Sequence, residues 1–317
     1  MRPVALEANL PDTFYAGAGR IARFRGTDLP DRPEDWIAST TVRYGHTRSG
    51  LSSLPDARLL RDAINSDPRG WLGRAEADAG LLVKLLDAGQ RLPLHVHPDR
   101  RFARSHLASP YGKTEAWLIL DAEPGAHVHL GFRRDVEAEE LAGWVRNQDV
   151  EAMLGATNTV PVTAGDAVLC PAGTPHAIGA GILLVELQEP TDFSIMLETE
   201  GFPITPENAL LGLPLETALA CVTRAATSDE RLYGWRTPAP GSLLPADAEP
   251  FFRADELAAG ATVTGFAVLV VTAGPGMLSG EWGELPLGRG QTVVVPHAAG
   301  PCAVSGSARA VACRPAA

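Results

Sequence analysis

"GQRLPLHVHPD", residues 89–99, ends an apolar run with two histidines one residue apart. In an extended chain residues i and i+2 face the same side, so His95 and His97 can converge on one ion. Neutral imidazole is a common protein ligand for borderline divalent metals, which makes the pair a candidate metal site. The pair alone decides little, because "HVH" recurs at His127 and His129. Those two read as rim or sheet residues, and His46, His106 and His297 lie in turn-like contexts without an HxH partner.

The surroundings of the first pair carry more weight. Gly89, five intervening residues and then His95-x-His97 form one pattern; "GDAVLCPAGTPH", from Gly165 through Pro171 and Gly173 to His176, forms another. Each glycine ends a turn, the following strand carries ligands inward, and Pro-x-Gly shapes the turn that presents the last histidine. The two patterns, in order and well spaced, resemble the metal-binding signature of the cupin barrels. In typical cupins a glutamate follows the second histidine by three or four positions. Here those positions hold Arg101 and Phe102, and "YGKTEAW" offers Glu115 instead.

Composition fits a β-rich, water-soluble chain. The 317 residues are 45% hydrophobic and 21% charged, with 26 prolines and 32 glycines spread along the chain, which suggests short strands joined by tight turns. A net charge of −11 without a basic run disfavours nucleic acid and anionic membranes as partners. "FAVLVVTAG" is too short to span a bilayer, and "MRPVALEANLPD" lacks the apolar core of a signal peptide. Cys170, Cys221, Cys302 and Cys313 show no CxxC spacing and read as isolated buried thiols in a reducing compartment. A cytoplasmic protein with a small-molecule partner, monomeric or homodimeric, is the expectation.

Along the chain, residues 80–98 and 114–132 each hold two apolar runs around a turn, "DAGQ" and "DAEPG", and both predict hairpins. Residues 55–73 have helical spacing broken by "DPRG", and "RRDVEAEELAGWVRNQDVEAMLG" predicts two short surface helices. "LETALACVTRAA" predicts another helix. The tract 237–250, "TPAPGSLLPADAEP", is the best linker candidate, and 251–317 reads as a run of strands.

Together "VKLLDAGQRLPLHVHPD", "GKTEAW" and "PAGTPHAIGAGILLVELQ", with "RPEDWIAST" around Trp36, resemble the shorter bacterial form of the type I mannose-6-phosphate isomerases. The similarity covers about residues 13–195 and, more loosely, the C-terminal β-segment. It implies a mainly β fold of two cupin-type barrels with helical insertions: a metal-binding domain over 1–236 and a degenerate cupin-like domain over 237–317. The resemblance assigns His97, Glu115 and His176 as zinc ligands, with one Zn²⁺ per chain and Fe²⁺ or Mn²⁺ as alternatives. His95 stands where the family has glutamine and is a competent fourth ligand. Only two of the 27 basic residues are lysines, and both Lys84 and Lys113 fall on family motif positions.

The implied activity is a metal-dependent aldose–ketose isomerisation of mannose 6-phosphate and fructose 6-phosphate, or of a related sugar, through a cis-enediol. Glu186, which begins "ELQ", matches a family glutamate near the substrate and is the candidate proton carrier; Lys113 and Lys84 would bind substrate oxygens or stabilise the enediolate. One departure stands out: an ungapped match places Met196 on an arginine implicated in the family's catalysis, and methionine supplies neither charge nor donor fork. Two rival readings remain: an Fe-dependent cupin oxygenase, which the same ligands would serve, and a non-catalytic sugar-binding cupin.

Overall fold

In a computed structural model of the chain, residues 1–317 are described, apart from the side chains of residues 206 and 207. The fold is mainly β. One pair of five-stranded antiparallel sheets forms the first barrel. Its front sheet runs in the order Glu34–Ile37, Leu82–Ala88, Ile182–Gln188, Glu115–Ala122, Ala167–Cys170. The opposing sheet runs Ile195–Met196, His95–Val96, His176–Ile178, His127–Phe132, Thr157–Pro161.

Both predicted hairpins are corrected here. Leu82–Ala88 and His95–Val96 lie in different sheets, as do Glu115–Ala122 and His127–Phe132. The turns "DAGQ" and "DAEPG" therefore carry the chain across the barrel, from one wall to the other. Alternating polarity reports which faces of a strand are buried and is silent on which strand lies beside it. That crossing is what sets the histidines of one wall opposite the carboxylate and lysines of the other.

The C-terminal unit repeats the two-sheet design. Val4–Leu6, Thr292–Val295, Ala267–Ala273, Arg309–Pro315 and Phe252–Leu257 form one sheet; Thr262–Val263, Cys302–Gly306, Gly276–Gly280 and Gly283–Leu287 form the other. The first of these sheets is apolar on both faces, which explains the unbroken run "FAVLVV". Ala267, Leu269, Val271, Val293 and Val295 fill the second barrel. Val268, Val270, Val294 and Val311 instead join one continuous core with Val83, Leu85, Val185 and Leu187 of the first barrel's front sheet. The C-terminal unit thus buttresses the back of the wall that carries Lys84, Glu115 and Glu186.

The connections are tied down as well. The N-terminal strand pairs with Thr292–Val295, so the first residues complete the last unit's sheet. Within 237–250, Leu244 and Ala248 are buried in the shared core, and Ala239 N–H donates to the Leu244 carbonyl. The two surface helices form as Ala138–Asn147 and Val150–Gly155. The 55–73 segment breaks at Asp67, whose carboxylate accepts from Gly70 N–H and caps the second helix, Pro68–Leu72. "LETALACVTRAA" yields only the short helix Leu215–Leu219.

Candidate metal centre

His95 faces His176 directly across two antiparallel strands, and their ring centroids lie 4.1 Å apart. His97, on the same side of its strand as His95, completes a cluster with centroids 4.9 and 4.8 Å from the other two. Each ring is oriented by a main-chain carbonyl. Nδ1 lies 2.8 Å from Pro93 O in His95, 2.7 Å from Phe193 O in His97 and 2.8 Å from Thr174 O in His176. A carbonyl can only accept, so Nδ1 holds a proton, and in the neutral ring each Nε2 presents a lone pair.

Those lone pairs meet. The ligand atoms of His95, His97 and His176 all lie within 4.8 Å of one another. From the opposite wall Glu115 brings Oε2 to 3.0 Å from His97 Nε2 and Oε1 to 3.2 Å from His176 Nε2. With the imidazoles neutral, these are contacts between acceptors, which a cation between them would relieve. His176 Nε2 is buried without a directed hydrogen bond, an arrangement that costs free energy if nothing else binds there. Three neutral imidazoles and one carboxylate are a donor set that zinc and similar ions accept, so the residues present fit a divalent metal.

The local electrostatics keep His95, His97 and Glu115 deprotonated. Burial, followed by the neighbouring imidazoles, holds His95 well below the usual histidine range, and burial with the Lys113 ammonium pushes His97 down to about 3. Burial acts to raise the Glu115 carboxyl, but the Lys113 ammonium keeps it well below the usual range. Lys113 Nζ stands 2.9 Å from His97 Nε2 and 3.1 Å from Glu115 Oε2.

The long insertion between His97 and Glu115 is pinned at its base. It leaves through the helix Arg100–His106, capped by Asp99, and returns where Lys113 N–H donates to Pro98 O at 2.9 Å. Gly112 permits this closure: a Cβ there would stand 2.5 Å from Pro98 O. The late position of the glutamate thus delivers it, with its lysine, beside the histidines. Gly173 ties the last ligand loop to the first, its N–H donating to His97 O at 2.8 Å from a left-handed backbone with φ +86°.

One strand row away, Glu186 faces Lys84 in register, with Lys84 Nζ at 3.2 Å from Glu186 Oε2 and 3.6 Å from Glu34 Oε2. Lys84 also lies over the buried Trp36 ring, 4.7 Å from its centroid. Burial works against the ammonium, yet Glu186 and Glu34 raise its pKa and keep it charged. Glu34 accepts from Tyr15 Oη and from Trp36 Nε1, each at 2.6 Å; despite burial, Lys84 and these bonds hold it low. Glu186 goes the other way: burial raises it above the usual carboxyl range against the pull of Lys84.

All seven sequence-predicted residues therefore line one barrel interior. Sequence reasoning missed four neighbours. Glu34 had a signal in standing two residues before Trp36 within "RPEDWIAST", whereas nothing singled out Tyr15, Asp192 or the Cys170 sulfur as part of the site. Asp192 lies close enough for Lys84 and Glu34 to influence it, and burial raises its carboxyl. Cys170 lies opposite Glu115 and within reach of Glu115 and His176, but burial pushes its thiol well up. Three of the four thiols are buried as expected; Cys221 is half-buried. Met196 sits opposite His95 and is buried. His127 and His129 stand apart from the cluster: His129 bonds Thr157 Oγ1 at 2.8 Å and is pushed down to about 4, chiefly by burial. No helix among the described residues is long and apolar enough to cross a membrane.

No family model matches the chain. In sequence it is 36% identical over 196 residues to the mannose-6-phosphate isomerase of Streptococcus mutans, a match covering 60% of this chain and 58% of that protein. It is also 37% identical over 130 residues to mannose-6-phosphate isomerase ManA of Bacillus subtilis, covering 41% and 40% of the two chains. These matches span less than two thirds of the relatives' own length. The fold extends further. The mannose 6-phosphate isomerase structure from Bacillus subtilis superposes with a TM-score of 0.80 at 21% identity, covering 99% of this chain and 100% of that one. An alanine variant of the phosphomannose isomerase from Salmonella typhimurium gives 0.77 at 17% identity, with 99% and 100% coverage. The chain is similar in sequence to mannose-6-phosphate isomerases over 60% of its length and shares the cupin-type fold of the solved isomerase structures from end to end.

Proposed function

We propose that this protein is a metal-dependent aldose–ketose isomerase acting on mannose 6-phosphate and fructose 6-phosphate or a closely related sugar. The observation that carries the reading is the junction of two buried arrays in one barrel: a cluster of donors fit for a divalent metal, and the Lys84–Glu186 pair beside it. We assign the ion as Zn²⁺, held by His95, His97, Glu115 and His176, and the compartment as the cytoplasm. The metal-binding unit, residues 1–236, carries the chemistry in this reading, and residues 237–317 support its wall.

Isomerisation moves a proton between C1 and C2 of the sugar through a cis-enediol. A bound divalent ion supplies Lewis-acid polarisation of the substrate oxygens. Glu186 is the proton carrier: its carboxyl is raised by burial, against the pull of the Lys84 ammonium 3.2 Å from Oε2. Lys84, kept charged by Glu186 and Glu34, offsets the negative charge of the enediolate. Lys113 orients a substrate oxygen beside His97 and Glu115. All of these side chains are buried, which strengthens each of these interactions.

Proton NMR in D2O of the zinc-loaded protein, with mannose and mannose 6-phosphate supplied separately, tests this. Loss of the C2 proton with growth of a ketose is the expected result, and the faster substrate defines the phosphate requirement opened by Met196. No exchange with either sugar would remove the proposal.

A further inference from the structure

Arg253 and Arg314 stand directly opposite each other on neighbouring antiparallel strands of the C-terminal unit. Like charges in that relation destabilise a sheet. The pairing is the more unusual in a chain of net charge −11, where 38 acidic residues were available to answer 27 basic ones. The two arginines border a cavity of about 340 Å³, together with Arg74 and His297, the terminal residues Ala316 and Ala317, and a wall that includes Gly265 and Phe266. No carboxylate side chain lines it among the described residues.

The guanidiniums are also incompletely used. Arg253 Nε donates to Pro315 O at 3.2 Å, and Arg314 Nη2 reaches Asp255 at 3.5 Å, beyond a good hydrogen bond. Arg314 Nε is buried and has no partner. Arg74 enters from the segment after the helix Pro68–Leu72 and bonds the Asp78 main-chain carbonyl. Three guanidiniums from three separate segments thus line one concavity with donors to spare. None belongs to the metal centre.

We propose that this cavity binds a small phosphate-bearing metabolite through its dianionic phosphate. A guanidinium presents two parallel N–H donors that match two phosphate oxygens, and the charge of a dianion relieves the repulsion between Arg253 and Arg314. The volume admits a phosphate with a short organic body and no macromolecule. Because Arg74 follows the first unit's helix and the other two arginines belong to the last sheet, an occupied cavity bridges the two units and stabilises their packing.

Inorganic phosphate is the probe, titrated by calorimetry and thermal melting against chloride at matched ionic strength. The expected result is saturable binding and a raised Tm in the unaltered chain, with affinity reduced at least tenfold in Arg253→Gln and in Arg314→Gln. Without phosphate those variants should melt no lower than the parent, since each removes one member of a like-charged pair. Should either fail to fold, Arg74→Gln, on an exposed segment, must show the same loss of affinity. No response to phosphate, as when the chain's own terminal residues already satisfy the guanidiniums, overturns the proposal. Binding that persists undiminished in the variants places the phosphate elsewhere and overturns it equally.

Discussion

Glu115 is the residue on which the proposed metal centre turns. It is the one carboxylate among three neutral imidazoles, and both its oxygens approach histidine nitrogens that carry lone pairs. Glu115→Ala removes the only negative donor of the set and leaves Lys113 as an uncompensated cation 2.9 Å from His97 Nε2. Bound metal after dialysis should fall from about one per chain to well below it, read by elemental analysis. The same loss should appear in melting: an ion present at 100 times its Kd stabilises by about 2.7 kcal/mol, so chelation should lower the parent's Tm by several degrees and leave that of Glu115→Ala unmoved. A variant that keeps stoichiometric metal would show the ligand set to be wrong. The histidines were legible because the HxH and Pro-x-Gly patterns are local. Glu115 was legible only through the Gly-Lys-Thr-Glu motif, since its distance from His97 along the chain hides their contact. Tyr15 and Asp192 left no trace, as their roles arise from where the chain returns in space.

At the scale of the element, the ligand loops hold each other. Gly173 N–H donates to His97 O, and a Cβ on Gly173 would stand 2.8 Å from Thr223 Oγ1 in a backbone region that side chains avoid. Gly173→Ala should therefore cost about 1–2 kcal/mol from conformation alone and displace the turn that presents His176. Groups that orient metal ligands commonly contribute 10–100-fold in affinity, and a metal Kd weakened by about tenfold, measured by chelator competition, is expected. Unchanged affinity with a lowered Tm would confine the glycine's role to folding. The failure of both hairpin expectations belongs to this scale too. Leu82–Ala88 is buried on both faces, so its sequence carries no alternation that could distinguish a crossing between walls from a return along one.

For the whole molecule, the decisive feature is the apolar layer between the two units. Alternate residues of one C-terminal sheet fill its own barrel, while the others share a core with Val83, Leu85, Val185 and Leu187. The sequence suggested strands at 251–317 but offered no means of telling that both faces of a sheet would be covered, or by what. With the N-terminal strand paired to Thr292–Val295, the C-terminal unit's sheet is not complete without residues from the start of the chain. Unfolding should consequently be one transition, with calorimetric and van't Hoff enthalpies equal. Leu85 is fully buried, and Leu85→Ala should destabilise the protein by about 2–5 kcal/mol while moving that single transition intact. If calorimetry instead resolved two heat-absorption peaks, with only the first shifted by Leu85→Ala, the shared layer would be a weak contact between independent barrels. A single shifted peak means that the wall bearing Lys84, Glu115 and Glu186 draws its rigidity from the unit behind it.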